Sequence, residues 1–137
     1  MNVGRLEWSD HLRTGIGQLD DGHKELIDLY NRIVWLCGHD PSRSDLCERI
    51  RSFVNYGRHH FRQEEEYMIE LHYPDYVSHK LEHDRLLQDA EDFIENLGGS
   101  LQLSEGEAIL KYFRHWLLRH IATDDKKLKD FSVASAT

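Results

Sequence analysis

YVSHKLEHDRLLQDAEDFIENL, residues 76–97, is the stretch whose reading decides the fold. Tyr76, His79, His83, Leu86, Ala90, Phe93 and Leu97 recur at alternating steps of three and four, the period of one face of an α-helix. The face is mostly apolar, so it belongs in a core, yet it carries two histidines one turn apart. Imidazoles at i and i+4 on one face can hold a single metal ion between them. Pro74, a favoured first-turn residue, stands at the head of this helix, and Gly98-Gly99 follows its end.

The same period continues on both sides. Upstream, a second helix is expected from about Asp45 to Leu71, with Ser44 or Asp45 as N-cap. Its stripe runs Leu46, Ile50, Phe53, Val54 and Gly57, then reaches His60, Glu64 and Leu71. His59 falls off that stripe, on a solvent face with Ser52, Asn55, Gln63 and Glu66, while Glu65 sits at the margin. Before Pro41, another helix spans about Asp20 to Cys37, with Leu19, His23, Leu26, Ile27, Tyr30, Ile33, Val34 and Cys37 in register. After the glycine pair, Ser104-Glu105-Gly106-Glu107 reads as a capping box opening a last helix that runs into the 120s. Ile109, Phe113, Trp116 and His120 share its apolar face, and His115 lies opposite with Lys111 and Arg119.

Four amphipathic helices joined by short loops predict an all-α fold, an up-down-up-down antiparallel four-helix bundle with an N-terminal arm. The chain of 137 residues reads as one domain, 1–137. Residues 1–18, with Trp8, form the arm, 19–130 the bundle and 131–137 a loose tail. A formal charge of −8 argues against nucleic acid and anionic membrane surfaces as partners. No apolar run approaches the roughly 20 residues of a membrane span, and MNVGRLEWSD lacks the apolar core of a signal peptide. A cytoplasmic location follows as an expectation, and with it free thiols at Cys37 and Cys47. Without a CxxC pair, a zinc–thiolate site is not expected.

Histidine is the unusual residue, at ten copies. A single core-facing histidine ordinarily hydrogen-bonds a buried carbonyl or hydroxyl. Here His23, His60, His79, His83 and His120 face one core, together with Glu64. A buried carboxylate is costly unless it is paired or bound to metal. The joint set therefore points to metal where no single residue does. Five imidazoles exceed what one ion can use while also binding a substrate, so two ions fit better, with Glu64 bridging. A second bridging carboxylate is then expected near His120, from Asp124 or Asp125. At 100° per residue Asp124 lies about 40° from His120 and Asp125 about 140° away, so helix geometry favours Asp124.

The chain resembles the hemerythrins, most of all their single-domain bacterial members. The pieces that carry the resemblance are Asp20-x2-His23, His60-Phe-x2-Glu64-Glu-x2-Met68, Tyr73-Pro74, His79-x3-His83 and Trp116-x3-His120-x4-Asp125, in order over about residues 20–125. The family's pattern places the second bridging aspartate on Asp125, which requires the helix to bend or end there. Gly22 departs from the glutamine usual before the first ligand and is expected to loosen the start of the first helix. By resemblance, one iron takes His79, His83 and His120, the other takes His23 and His60, and Glu64, Asp125 and an oxo or hydroxo group bridge them. The vacancy on the second iron is where the family binds dioxygen, as a hydroperoxide hydrogen-bonded to the bridging oxygen, and release reverses both steps. Leu26, Phe61 and Ile121 adjoin ligands and are expected to line the oxygen pocket, ordinary core packing being the competing reading.

The implied function is reversible oxygen binding for carriage, storage or delivery, not enzymatic turnover. A di-iron oxidase of the ferritin type would carry Glu-x-x-His motifs; the chain has none. An oxygen, redox or iron sensor would act through a separate protein partner, for which Trp8 offers a contact. A monomer or weak homo-oligomer is expected.

Overall fold

A computed structural model describes residues 4–39, 41–96 and 103–135. Four long helical segments form the bundle: α1 (Gly17–Cys37), α2 (Arg43–Glu70), α3 (Tyr76–Glu95) and α4 (Leu103–Arg119). α1 packs on α2 and α4, and α2 packs on α3. The short connections make sequence neighbours antiparallel, the expected up-down-up-down order. The glycine pair 98–99 and Leu97 lie outside the described residues.

The helix ends follow local chemistry. α2 is capped by Ser42, whose hydroxyl accepts the Asp45 amide at 3.1 Å, so the cap lies two or three residues earlier than the sequence suggested. At its far end His72 adopts φ 54°, and the Tyr73 amide reaches back to the Met68 carbonyl at 2.9 Å. This left-handed residue closes α2, and Pro74 follows it. α4 starts at Leu103, before the Ser104 expected as its cap; the side chains of 103–106 lie outside the described residues. α1 begins at Gly17 and runs unbroken through Gly22, so that glycine does not loosen its start.

The last helix departs most from expectation. It does not end at Asp125. It widens into a π-helical turn over His120–Asp125 and resumes as α5 (Lys126–Ser135), with helical backbone angles on both sides of the turn. Residues 131–135, expected in a loose tail, belong to α5.

The arm is tied down. Leu6 exchanges two hydrogen bonds of 2.8 Å with the Asn31 side chain, and Leu6 and Leu12 are buried. The Asp20 carboxylate accepts from the Thr14 amide (2.7 Å), the Thr14 hydroxyl (2.8 Å) and the Gly15 amide (3.0 Å). Trp8 packs on the core edge with Lys24 Nζ 5.1 Å above its ring. The short 3-10 segment Asp10–Leu12 rests against the π-helical turn.

Two apolar clusters fill the bundle. The larger includes Leu26, Tyr30, Ile50, Phe61, Leu86, Phe113 and Leu117; the smaller includes Leu19, Met68, Tyr73 and Leu128. Along α1, α2 and the α4–α5 rod, the polar core residues fall between members of the two clusters. His23 follows Leu19 and precedes Leu26, His60 and Glu64 precede Met68, and His120 and Asp125 lie between Leu117 and Leu128. The apolar layers hold the helices together and fix what stands between them.

Candidate metal centre

His23 from α1, His60 and Glu64 from α2, His79 and His83 from α3, and His120 and Asp125 from the π-helical turn meet in the interior, all buried. The structure therefore brings together all seven residues singled out as ligands. The turn decides between the two aspartates. An α-helix would carry residue i+5 away from residue i, but the i→i+5 winding of a π-helix returns it to the same side. Asp125 is inside, and Asp124 is partly exposed.

The arrangement within the cluster is specific. Glu64 Oε1 lies 2.6 Å from His79 Nε2, 3.2 Å from His83 Nε2 and 3.4 Å from His120 Nε2. Its other oxygen, Oε2, lies 3.4 Å from His60 Nε2 and 3.8 Å from His23 Nε2. Asp125 divides in the same way, with Oδ1 3.1 Å from both His79 and His120 Nε2, and Oδ2 2.7 Å from His23 Nε2. Glu64 faces His79, His83 and His120 with one oxygen and His60 and His23 with the other, while Asp125 faces His79 and His120 with one and His23 with the other. Glu64, His79, His83, His120 and Asp125 form one potential ion-binding group, and His23, His60 and Glu64 another.

The polar atoms test whether metal fits. Among the described residues, both oxygens of Glu64 and Asp125, and both ring nitrogens of His23 and His60, are buried without a hydrogen bond of acceptable geometry. These atoms crowd each other, yet their directions do not pair them. Within each of the two groups one ligand atom per residue lies within 4.8 Å of the others, a spacing that a common cation can bridge. Buried polar groups left unpaired cost about 1–3 kcal/mol each, so a cation is the economical occupant. Imidazole with carboxylate is a donor set that suits iron, manganese and zinc to different degrees.

Without a cation the cluster must hold protons instead. Burial alone would push His23 down, but Asp125 and then Glu64 outweigh it and raise the imidazole to about 9. His79 behaves alike: burial lowers it, and the two carboxylates lift it to about 9. For His120, burial is outweighed by Asp125 and Asp124, and the ring is raised well above its usual range. Burial wins at His60, which is lowered despite Glu64. Burial would raise Glu64, but its close polar neighbours Asp125, His120, His23 and His60 hold it well below the carboxylate range. Burial and Glu64 push Asp125 up, and His120 with His23 outweigh them, leaving it lowered.

Two carboxylates stand behind the imidazoles: Asp124, which helix geometry favours beside His120, and Glu65, at the margin of the α2 stripe. Glu65 Oε2 lies 2.9 Å from His83 Nδ1, and Asp124 Oδ2 lies 3.4 Å from His120 Nδ1. An acceptor such as Glu65 fixes its ring and raises its donor strength toward metal, whereas His120 Nδ1 makes no hydrogen bond of acceptable geometry to Asp124. The sequence signal for Asp124 is its place four residues after His120, and for Glu65 only its place beside Glu64. Aromatic faces do further orienting: Phe61 stacks on His83 at 4.0 Å, and Trp116 on His120 at 4.5 Å.

One opening reaches this layer: beside His79, a polar surface pocket of about 160 Å³ is lined by Tyr73, Ser78, Glu82, Arg119 and Asp124. Within the apolar cluster lies a cavity of about 10 Å³ whose walls include Leu26, Phe61, Leu86, Trp116 and Leu117, with Phe61 stacked on His83. Of the three residues expected to line an oxygen pocket, Leu26 and Phe61 border this cavity, and Ile121 is buried in the same apolar cluster without bordering it.

A helical bundle with a buried, histidine-rich centre for two cations is the class of protein that this fold and site define. A profile of the hemerythrin HHE cation binding domain matches residues 14–131. The chain is 30% identical to a bacteriohemerythrin of Methylococcus capsulatus, over 82% of this chain and 85% of that one. It is 31% identical to myohemerythrin-1 of Phascolopsis gouldii, over 89% and 90%. A wild-type hemerythrin crystal structure superposes with a TM-score of 0.79 at 25% identity, covering 93% of this chain and 97% of that one. The chain belongs to the hemerythrin family, whose members are oxygen-binding di-iron proteins.

Proposed function

We propose that this chain binds dioxygen reversibly at a non-heme di-iron centre and serves as an oxygen carrier or store, not an enzyme. His79, His83 and His120 hold one iron, and His23 and His60 hold the other. Glu64, Asp125 and an oxo or hydroxo group bridge them. The observation that carries this reading is the split of each carboxylate, whose two oxygens face different histidine groups. The donor count leaves the His23–His60 side one ligand short of its partner, so an exogenous molecule has a place there. When bound, the iron pair supplies the two electrons that dioxygen takes up on binding and returns on release.

The protein's own residues set the conditions for reversibility. Five neutral imidazoles against two carboxylates leave the centre less electron-rich than a carboxylate-dominated one, which favours binding over oxidative turnover. Glu65 holds His83 by a hydrogen bond, and Trp116 stacks on His120. Leu26 and Phe61 give the adjoining cavity an apolar wall, and its size is about that of one water-sized molecule. A dry wall withholds the protons that would drive irreversible oxidation. Among the described residues no helix is long and apolar enough to cross a membrane.

The test is stoichiometric. Metal-free protein is loaded with ferrous iron under nitrogen, exposed to oxygen and then purged. Two irons per chain, one dioxygen taken up and the same dioxygen recovered support the reading. Oxygen consumed and not recovered points instead to an oxidase or a redox sensor.

A further inference from the structure

Gly22 lies in the interior of α1, where glycine is a poor helix former, and it is buried. The space its missing side chain would fill is occupied by another residue. A Cβ built at position 22 would overlap His60 Nδ1, with Cε1 at 2.5 Å and Cγ at 3.0 Å. No other glycine among those described would place a Cβ within 3.4 Å of a neighbour. The His60 ring therefore rests in a notch cut into the α1 backbone surface by the absent methyl group.

The ring has no alternative berth. It is fully buried, 3.4 Å from Glu64 Oε2 on one side, edge-on to His23 at 4.8 Å between centroids and tilted against Phe61 at 5.9 Å. Its Nδ1 has no hydrogen-bond partner, unlike that of His83, which Glu65 holds. Contact with the glycine backbone does for His60 what a carboxylate does for His83. We propose that Gly22 is a positioning residue for His60, setting how far its Nε2 stands from the second metal position. This inference deepens the di-iron reading and rests on it.

A methyl group at position 22 would have to push the ring away from α1. Moving Cε1 from 2.5 Å to an ordinary 3.4 Å contact takes about an ångström, several times the roughly 0.2 Å latitude of a metal–ligand distance.

The experiment combines Gly22→Ala with His60→Ala. Wild type, both single variants and the double variant are titrated anaerobically with Co2+, and the thermal midpoints of the metal-free proteins are recorded. Gly22→Ala is expected to bind the first ion normally and the second at least tenfold more weakly, with a perturbed visible cobalt spectrum. It should lower the metal-free midpoint in the wild-type background and raise it in the His60→Ala background, where the vacated space accepts the methyl. A Gly22→Ala chain that fails to fold, and is rescued by adding His60→Ala, equally supports the proposal. Equal destabilisation in both backgrounds, or undiminished binding of two ions by Gly22→Ala, would overturn it. A wild type that takes up fewer than two ions would contradict the di-iron reading, and the stability comparison would still decide whether Gly22 seats His60.

Discussion

Asp125 Oδ1 lies 3.1 Å from His120 Nε2, although the two stand five positions apart in the chain. A π-helical turn makes that approach, and it sorts the adjacent aspartates into different tasks. Asp125→Ala should weaken ion binding by more than about 100-fold, beyond the roughly 10–100-fold cost of losing a partner behind a ligand. Asp124→Ala should fall within that lower range. Deleting the exposed Thr123 should convert the turn to regular α-helix with Asp125 four residues after His120, and both ions should still bind. Metal titrations of the three variants check the ordering; equal losses for Asp124→Ala and Asp125→Ala would contradict it.

Glu65 tests the support behind His83. The pair is 2.9 Å apart, and Glu65 is partly exposed, so removing its side chain leaves little cavity. Glu65→Ala should lower ion affinity by roughly 10–100-fold while the thermal midpoint of the metal-free protein stays close to wild type. A large loss of stability with unchanged affinity would assign Glu65 a folding role instead.

Proton linkage gives a signed prediction. His23 and His79 are raised from 6.5 to about 9 in the metal-free fold, so each retains its proton more strongly than in the unfolded chain. Their contribution to stability is complete below 6.5 and is lost as pH rises through about 9. Glu64 and Asp125 are lowered, so their contribution holds above the usual carboxylate range and is lost on acidification. The metal-free midpoint should therefore fall between pH 7 and 9. Ions must displace the histidine protons, so affinity should rise over the same interval. Calorimetry in buffers of different ionisation enthalpy should detect proton release at neutral pH, and its absence would contradict the protonated cluster.

The apolar cavity predicts a separation between stability and redox lifetime. Leu26→Ala should cost about 2–5 kcal/mol through the space it opens. It should also shorten the lifetime of the oxygenated state by admitting water beside Phe61. Leu26→Met, which keeps the volume, should preserve both. The autoxidation rate, followed optically, distinguishes this from a packing effect confined to the midpoint.

His72 closes α2 at φ 54° and is exposed. A left-handed conformation costs an L-residue roughly 1–2 kcal/mol that glycine avoids. His72→Gly should raise the thermal midpoint by a few degrees without altering metal uptake. A lower midpoint would mean that the imidazole makes a contact worth more than the backbone relief.

Much of this centre is legible in the sequence alone. The 3–4 spacing places His23, His60, Glu64, His79, His83 and His120 on core faces, and each is buried. That works because charged or polar residues on an apolar stripe stand out against a simple period. Asp125 is not legible from periodicity, because the 100° rule assumes an unbroken α-helix, and the π-helical turn breaks it. Glu65 escapes for another reason: its acceptor role depends on where α3 lies in space, whereas the 100° rule does bring Asp124 to His120. Gly22 reads as a local weakness of α1 because its ring partner comes from a different helix. The same limit applies at Ser42, where the cap depends on how the loop after Pro41 enters α2.

Reversible oxygenation is the central claim, and one optical measurement tests it most directly. The ferrous protein is sealed under nitrogen, and its visible spectrum is recorded through repeated exchanges of nitrogen and oxygen. An oxygen-dependent visible band that grows in, disappears on purging and returns at nearly the same intensity in successive cycles is the predicted result. A spectrum that passes once to the ferric form and no longer responds to the gas phase would contradict it.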